Sequence, residues 1–214
     1  MAKSFELPRF YPILDTAILK SRECDVLLAA ECVLQSGARI LQYRHKDGWL
    51  QLHYDEASNI ADLCRQAGAL FVMNDRADYA QLLNAGLHIG QDDIPPVAAR
   101  TVVPNAVLGF STHNALQLRH ANEAPADYLS LGPIFATSSK EKPDPVVGVD
   151  GLKAMRPLTN KPLCAIGGIT LANAHQVLEA KADSVAVISA LLPEKCDAAS
   201  LTARAAEWLK LSHE

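Results

Sequence analysis

Short apolar stretches recur along the chain, and segments with helical periodicity separate them. The stretches are rich in Val, Ile, Leu and Tyr and are too apolar to face water, which is typical of parallel strands covered by helices. Eight strand-then-helix units favour an α/β fold of the closed (β/α)8, or TIM-barrel, type over an open doubly wound sheet, which more often has five or six strands. The predicted strands are residues 11–14, 40–43, 70–73, 87–89, 107–109, 128–131, 163–166 and 185–188.

The connecting segments place apolar residues at helical spacing. After the second strand, Ile60, Ala61 and Cys64 share one face, and Gly68 stands where a helix would end. Helices are likewise predicted over 26–35 and 201–209, with shorter ones over 97–101 and 115–121. Because no linker-like stretch divides the 214 residues, a single domain spanning 1–214 is predicted.

Composition narrows the classes of function. The net charge of −4 argues against a nucleic-acid surface, which is normally basic. Residues 1–8 lack the apolar core of a signal peptide, and no run approaches the roughly 18 apolar residues of a membrane span, so a cytoplasmic protein is predicted. The five cysteines are scattered without a C-x-x-C pair, which favours neither disulfides nor zinc, and all but Cys196 are expected to be buried.

Polar clusters follow seven of the eight predicted strands. They occupy residues 42–46, 74–76, 90–93, 111–113, 132–140, 167–169 and 189–190. Reactive side chains of a (β/α)8 barrel lie at the carboxyl ends of its strands. The active site is therefore predicted at this rim.

Two aspartates follow neighbouring strands. Asp75 and Asp93 would meet on one rim if both strands are parallel, and two carboxylates suit Mg²⁺, which completes its shell with water and substrate oxygens. Each could instead cap a helix, because aspartate at a strand-to-helix junction commonly accepts backbone N–H bonds. Asp92 is expected to point elsewhere, as a cap or a surface residue.

Three cations stand near the same rim. Side-chain alternation puts Gln42, Arg44 and Lys46 on one face of the second strand, with Tyr43 and His45 on the other. A buried arginine needs an anion, so these residues and Lys140 favour a diphosphate-sized ligand. The alternative for Arg44 is a structural salt bridge to an acid of the barrel.

Gly167 and Gly168 follow the seventh predicted strand, where such barrels often bind phosphate near the start of a helix. Here the helix is expected from about Thr170, and residues 188–189, at the end of the eighth strand, belong to the same predicted site. The long connection 132–150 is predicted to order over the substrates, the alternative being an exposed mobile loop. His88 is expected to be a satisfied core or rim residue, and Ser111 has no His/Asp set at triad spacing.

Six short motifs occur in order over about residues 10–190. They are Gln42-x-Arg44-x-Lys46, Asn74-Asp75-Arg76-x-Asp78, Gly90-Gln91-x-Asp93, Gly132-Pro133-x-Phe135-x-Thr137-x-Ser139-Lys140, Ala165-Ile166-Gly167-Gly168-Ile169 and Val187-Ile188-Ser189-Ala190. Together they resemble the thiamine-phosphate synthase family. The resemblance implies a (β/α)8 barrel that joins a hydroxymethylpyrimidine diphosphate to a thiazole phosphate and releases diphosphate.

The resemblance also implies roles for individual residues. Contacts to the pyrimidine diphosphate are implied for Gln42, Arg44, Lys46, Asn74, Ser111 and Lys140, and contacts to the thiazole phosphate for Thr137, Ser139, Gly168, Ile188 and Ser189. Tyr43, His45 and Ser138 are included in the predicted substrate contacts with the stretches that contain them. Asp75 and Asp93 become the Mg²⁺ ligands, and the predicted catalytic residues are Arg44, Lys46, Ser111 and Lys140.

Departures from the family pattern are small. Ser139 stands where the family usually has threonine, and Lys181 where it usually has glycine, at a turn that favours positive φ. Two other functions are weighed: a thiazole tautomerase on the same barrel, with His113 moving a proton, and a non-catalytic sensor of phosphorylated metabolites. A homo-oligomer and a carboxylated thiazole substrate are both left open.

Overall fold

The computed structural model describes residues 5–137 and 144–211. Its parallel strands close into a barrel in which each strand pairs with its neighbours in the chain and the last pairs with the first. The strands are β1 (Phe10–Asp15), β2 (Ile40–Arg44), β3 (Leu70–Asn74), β4 (Gly86–Ile89), β5 (Leu108–Thr112), β6 (Tyr128–Leu131), β7 (Leu163–Ile166) and β8 (Ser184–Val187). The predicted (β/α)8 fold class is confirmed.

Helices cover the outside of the barrel. In the described part of the chain they are α1 (Thr16–Ser21), α2 (Val26–Gln35), α3 (Gln51–Ala67), α4 (Ala77–Leu82), α5 (Pro96–Val102), α6 (Ala115–Glu123), α7 (Gly148–Met155), α8 (Ala174–Glu179) and α9 (Ala198–Lys210). Short 3-10 turns at Arg156–Leu158 and Ser189–Leu191 complete the connections. Among the residues described, no helix combines the length and the apolar character needed to cross a membrane.

Most predicted boundaries agree with the structure to within one or two residues, and two larger differences affect the site. The fifth strand runs on to Thr112, so Ser111 lies within β5 rather than after it. The helix expected from about Thr170 begins at Ala174. A turn comes first, because the Asn173 side chain accepts from the Thr170 N–H at 2.7 Å and donates to the Gly168 carbonyl at 3.1 Å.

The core has two layers. Outward-facing strand residues pack against the helices, and inward-facing residues such as Tyr11, Val72 and Tyr128 fill the barrel. The predicted burial of the cysteines is confirmed, since all are buried except the half-buried Cys196. Lys181 adopts φ of 70°, the left-handed conformation that its place in the turn before β8 suggested.

The last helix packs against the first strand through one large side chain. Trp208 of α9 is fully buried, stacks on Phe10 of β1 with ring centroids 5.9 Å apart, and donates to the Ala190 carbonyl at 3.2 Å. Its loss would leave a large cavity between the first strand and the last helix.

We predict that Trp208→Ala lowers the free energy of unfolding by about 3–5 kcal/mol, because a buried aromatic side chain is removed without replacement. Urea unfolding followed by circular dichroism measures this change. The control is Leu116→Ala on α6, where the leucine is 64% exposed and the expected change is within about 0.5 kcal/mol. Equal losses in the two variants would contradict the proposed packing of α9.

Candidate functional site

The turn after β3 positions the first predicted metal ligand. Asp75 has φ of 62°, a left-handed conformation that aspartate tolerates better than most residues. Its N–H donates to the His88 carbonyl at 2.8 Å, which carries the β3–β4 pairing one residue past Asn74. The chain thus turns sharply at Asp75, at the carboxyl end of the strand.

Asp75 and Asp93 lie together at the rim. The carboxyl groups of Asp75 and Asp93 are close enough to interact, and Lys46 from the loop after β2 forms an ion pair with Asp75. Burial and the neighbouring Asp93 raise the pKa of Asp75 to about 6, although Lys46 acts in the opposite direction. The rim therefore gathers more negative charge than its single described lysine partner neutralises.

The helix-cap alternative fits Asp75 poorly. Helix α4 is preceded by Arg76, and no side chain caps its first turn. Asp93 does accept from the Gly90 N–H at 2.7 Å, so it stabilises its own turn as well as facing Asp75. Asp92 is exposed, as expected for a surface residue.

The carboxylate pair has the composition of a magnesium site. The described residues contain no cluster of three or more His, Cys, Asp or Glu side chains arranged around a common metal position. Mg²⁺ does not require one, because it commonly binds one or two carboxylates and keeps water or substrate oxygens as its other ligands. Asp75 and Asp93, adjacent carboxylates of which Asp75 has a raised pKa, meet that requirement.

The inward face of β2 presents Gln42 and Arg44. The Gln42 amide donates to the Tyr11 hydroxyl at 2.8 Å, and Arg44 forms an ion pair with Asp15, which is only 3% exposed. Asp15 also accepts from the Ile18 N–H at 3.0 Å and so caps α1. The structural salt bridge that was the alternative for Arg44 is thus present, next to the rim.

Tyr43 and His45 are not assembled with the other predicted substrate contacts. The Tyr43 hydroxyl donates to Glu56 of α3 at 2.6 Å, on the outer face of β2. His45 stacks on His53 with centroids 3.7 Å apart and bonds the Thr16 hydroxyl at 2.7 Å. Both side chains point away from the barrel interior because side-chain direction alternates along a strand.

Asn74 and Ser111 line the inside of the barrel below the rim. The Asn74 side-chain nitrogen is buried and has no hydrogen-bond partner among the described residues. A buried unpaired donor is costly, so the Asn74 side-chain nitrogen has a free proton to donate to a ligand bound at the rim. Ser111 bonds His88 at 2.9 Å and Ser130 at 3.2 Å, and His88 is the satisfied core residue that the sequence predicted.

The opposite side of the rim contains the predicted phosphate site. Gly167 and Gly168 have φ of 98° and 63°, and a Cβ on Gly168 would lie 2.5 Å from the Ala136 carbonyl. Both glycines are therefore needed for close packing against the segment that leads to Thr137. Ile188 and Ser189 follow β8, the strand paired with β7, so they share this side with Gly168.

Backbone hydrogen bonds join the two ends of the connection between β6 and α7. Val147 and Gly148 donate backbone bonds to the Pro133 and Ile134 carbonyls at 2.8 and 3.0 Å. Nearby, His113 bonds the Gly132 carbonyl at 2.6 Å and lies 3.4 Å from a carboxylate oxygen of Asp144. Ser138, Ser139 and Lys140 fall outside the described residues, so their substrate contacts and the ordering of this connection over the substrates stay predictions.

Sequence reasoning missed Asp15. It ends the first apolar stretch just as Asp75 follows the third, and that parallel could have identified it. Tyr11 and Tyr128 were also missed as polar groups, because each lies within a stretch read only as apolar strand. Their inward direction follows from strand alternation once the strand limits are known.

Comparison with known proteins assigns the family. The sequence pattern described as thiamine monophosphate synthase matches residues 10–191. A thiamine-phosphate synthase of Koribacter versatilis is 44% identical over the full length of both chains, and one of Chloroflexus aurantiacus is 40% identical over 86% of this chain and 85% of its own. The structure of a thiamine phosphate pyrophosphorylase from Pyrococcus furiosus superposes with a TM-score of 0.83 at 29% identity, covering 96% of this chain and 95% of its own.

The matching pattern spans the barrel from the first residue of β1 to the turn after β8, and thus every strand end that forms the rim. The relatives match most or all of the chain, and the described residues of the motifs that carry the resemblance lie at or next to the rim. The chain therefore belongs to the thiamine monophosphate synthase family.

Proposed function

We propose that the chain, a thiamine-phosphate synthase by its family, joins a hydroxymethylpyrimidine diphosphate to a thiazole phosphate at this rim and releases diphosphate. The contact between Asp75 and Asp93 beside Lys46 supports the proposal most directly. Two acids in contact and a lysine suit a divalent cation together with a phosphorylated ligand. A tautomerase has no comparable need for this set, and a non-catalytic metabolite sensor is distinguished by whether the chain turns over the two substrates.

Asp75 and Asp93 are the residues that would hold Mg²⁺. When bound, the ion would offset negative charge on the diphosphate. Asp75 would then be shared between the ion and Lys46, whose side chain is half exposed and has room to turn toward a phosphate. Burial, and after it the neighbouring Asp93, raises the pKa of Asp75, and a bound cation would offset both effects.

The side chains of the protein contribute by positioning the pyrimidine diphosphate and by stabilising its negative charge. Lys46 and Arg44 approach the diphosphate from β2, with Lys140 predicted to do so from the β6–α7 connection. Gln42, Asn74 and Ser111 hold the pyrimidine between them, and the unpaired Asn74 amide gains its missing acceptor. An electron-rich aminopyrimidine supports a benzyl-like cation, so the C–O bond can break ahead of attack by the thiazole nitrogen, and no protein nucleophile is required.

The thiazole phosphate is proposed to bind across the rim from the acids. Gly168 and Ser189 follow adjacent strands, and Thr137 enters from the segment packed on the glycine pair. Ser139 and Ile188 complete this predicted set. The two anion sites thus suit two phosphorylated substrates that meet over the barrel axis.

We predict that Asp93→Ala reduces Mg²⁺-dependent formation of thiamine phosphate by about 10²-fold, because one carboxylate of the pair is lost. Product formed from the two substrates is measured by chromatography, with Mg²⁺ and with a chelator. Asp92→Ala, at the exposed neighbouring residue, is the matched control and should keep the wild-type rate. A wild-type rate in Asp93→Ala would exclude Asp93 from the proposed metal site.

In the metal-free protein, Asp93→Asn should lower the pKa of Asp75 from about 6, because an amide replaces the neighbouring acid. The carbon chemical shift of the Asp75 carboxyl group, followed against pH by NMR, reports this change. The same titration of Asp92→Asn should match the wild type. An Asp75 pKa that is identical in Asp93→Asn and wild type would show that the two acids do not interact.

Replacement of Arg44 is predicted to lower mainly the stability of the protein, whereas replacement of Lys46 is predicted to weaken mainly substrate binding. Arg44→Ala leaves the buried Asp15 without its cation and should cost about 3–5 kcal/mol of unfolding free energy. Lys46→Ala removes a half-exposed partner and should cost at most about 1 kcal/mol while weakening pyrimidine diphosphate binding. Denaturant unfolding and steady-state kinetics on both variants test this, and equal stability losses would contradict the structural role of Arg44.

A further inference from the structure

A chain of polar side chains crosses the barrel interior beneath the pocket. Gln42 donates to the Tyr11 hydroxyl at 2.8 Å, and the Tyr11 and Tyr128 hydroxyls are 2.7 Å apart. Tyr128 lies 2.9 Å from His88 Nδ1, and His88 Nε2 lies 2.9 Å from Ser111 Oγ. This series of hydrogen bonds therefore links two predicted substrate contacts, Gln42 and Ser111, through three residues that have no assigned role.

The proton arrangement along this chain follows from its donors. Burial raises the pKa of both Tyr11 and Tyr128, so both phenols keep their protons. Tyr11 accepts from the Gln42 amide, and Tyr128 is the other hydrogen-bond partner of its hydroxyl among the described residues, so we assign Tyr11 as the donor to Tyr128. The Tyr128 proton goes to His88 Nδ1, because Tyr11 already donates to the Tyr128 oxygen.

The same donor-to-acceptor direction continues from the His88 imidazole to Ser111. When Nδ1 accepts from Tyr128, the proton of neutral His88 is on Nε2, and it is donated to Ser111 Oγ. Ser111 also accepts from the Ser130 hydroxyl at 3.2 Å. With two bonds accepted, the Ser111 hydroxyl has its own proton left to donate to a ligand at the rim.

Gly109 on β5 provides the space for this contact. A Cβ at that position would lie 2.1 Å from the Tyr128 ring and 2.4 Å from His88 Nδ1. These distances are shorter than any van der Waals contact, so only glycine allows His88 and Tyr128 to meet there. Glycine at position 109 of β5 thus makes room for the hydrogen bond between His88 on β4 and Tyr128 on β6.

We propose that His88 is a positioning residue which, as the Nε2–H tautomer set by Tyr128, holds Ser111 so that its hydroxyl donates to the pyrimidine substrate. His88 acts through Ser111 and does not itself react. This inference rests on the proposed function, because it assigns how the same pocket orients one of its donors.

The kinetic test compares two replacements of His88. Glutamine places its amide nitrogen near the position of Nε2 and can still donate to Ser111, whereas asparagine reaches only the region of Nδ1. We expect His88→Asn to raise KM for the pyrimidine diphosphate about 3- to 10-fold, the effect of one lost hydrogen bond, with kcat and KM for the thiazole phosphate unchanged. His88→Gln should restore most of the wild-type KM.

A double-mutant cycle shows whether His88 acts through Ser111. Adding His88→Asn to Ser111→Ala should produce no further rise in KM. Thr159→Val is the stability control, because it removes a buried hydroxyl bonded to Asn122 at 2.7 Å, outside this chain of side chains, and should leave both KM values unchanged. Additive effects, or equal rises in KM for both substrates, would overturn the proposal.

The tautomer itself is measured by long-range 1H–15N NMR of the imidazole, with the His88 signals identified by their absence in His88→Asn. We expect the His88 proton on Nε2, and a proton on Nδ1 would overturn the proposed direction. This measurement needs no turnover. If the wild-type protein formed no thiamine phosphate, the proposed function would fail, and the tautomer would still decide whether His88 donates to Ser111.

Discussion

Closure of eight parallel strands is the constraint on which the rest of the structure depends. Parallel pairing sends the carboxyl end of every strand to the same rim, so residues far apart in the chain are brought together there. Asp75 and Asp93 come into contact because β3 and β4 are neighbours in the barrel. The same closure gives the interior a fixed set of inward-facing positions, which the pocket uses as its floor.

Charge at this rim is balanced in two different ways. Below the rim, Arg44 is paired with the buried Asp15, and the pair is part of the fold. At the rim, Asp75 is paired with Lys46, and burial together with the neighbouring Asp93 raises the pKa of Asp75. In the Arg44–Asp15 pair each charge has a partner, whereas the two acids at the rim exceed their one described lysine, and this excess of acid suits a cation and a phosphorylated ligand.

Polar groups in the barrel interior give the pocket its orientation. Most buried polar atoms along Gln42, Tyr11, Tyr128, His88 and Ser111 are paired with one another. Such a network leaves few alternative proton arrangements, so the groups at its two ends present fixed donors and acceptors. Gly109 shows how closely the packing is adjusted to it, since any side chain there would separate His88 from Tyr128.

The sequence by itself determined the strand count, the closed barrel, the rim that contains the site and the pair Asp75 and Asp93. These features follow from apolar periodicity and from the fixed direction of parallel strands, which are local properties of the chain. Only the tertiary structure decided that Arg44 is bonded to Asp15, that Tyr43 and His45 face the helices, and that Tyr11, Tyr128 and His88 form one hydrogen-bonded chain. Those pairings depend on the register between strands distant in sequence and on which side chains meet inside the barrel, and a one-dimensional pattern contains neither.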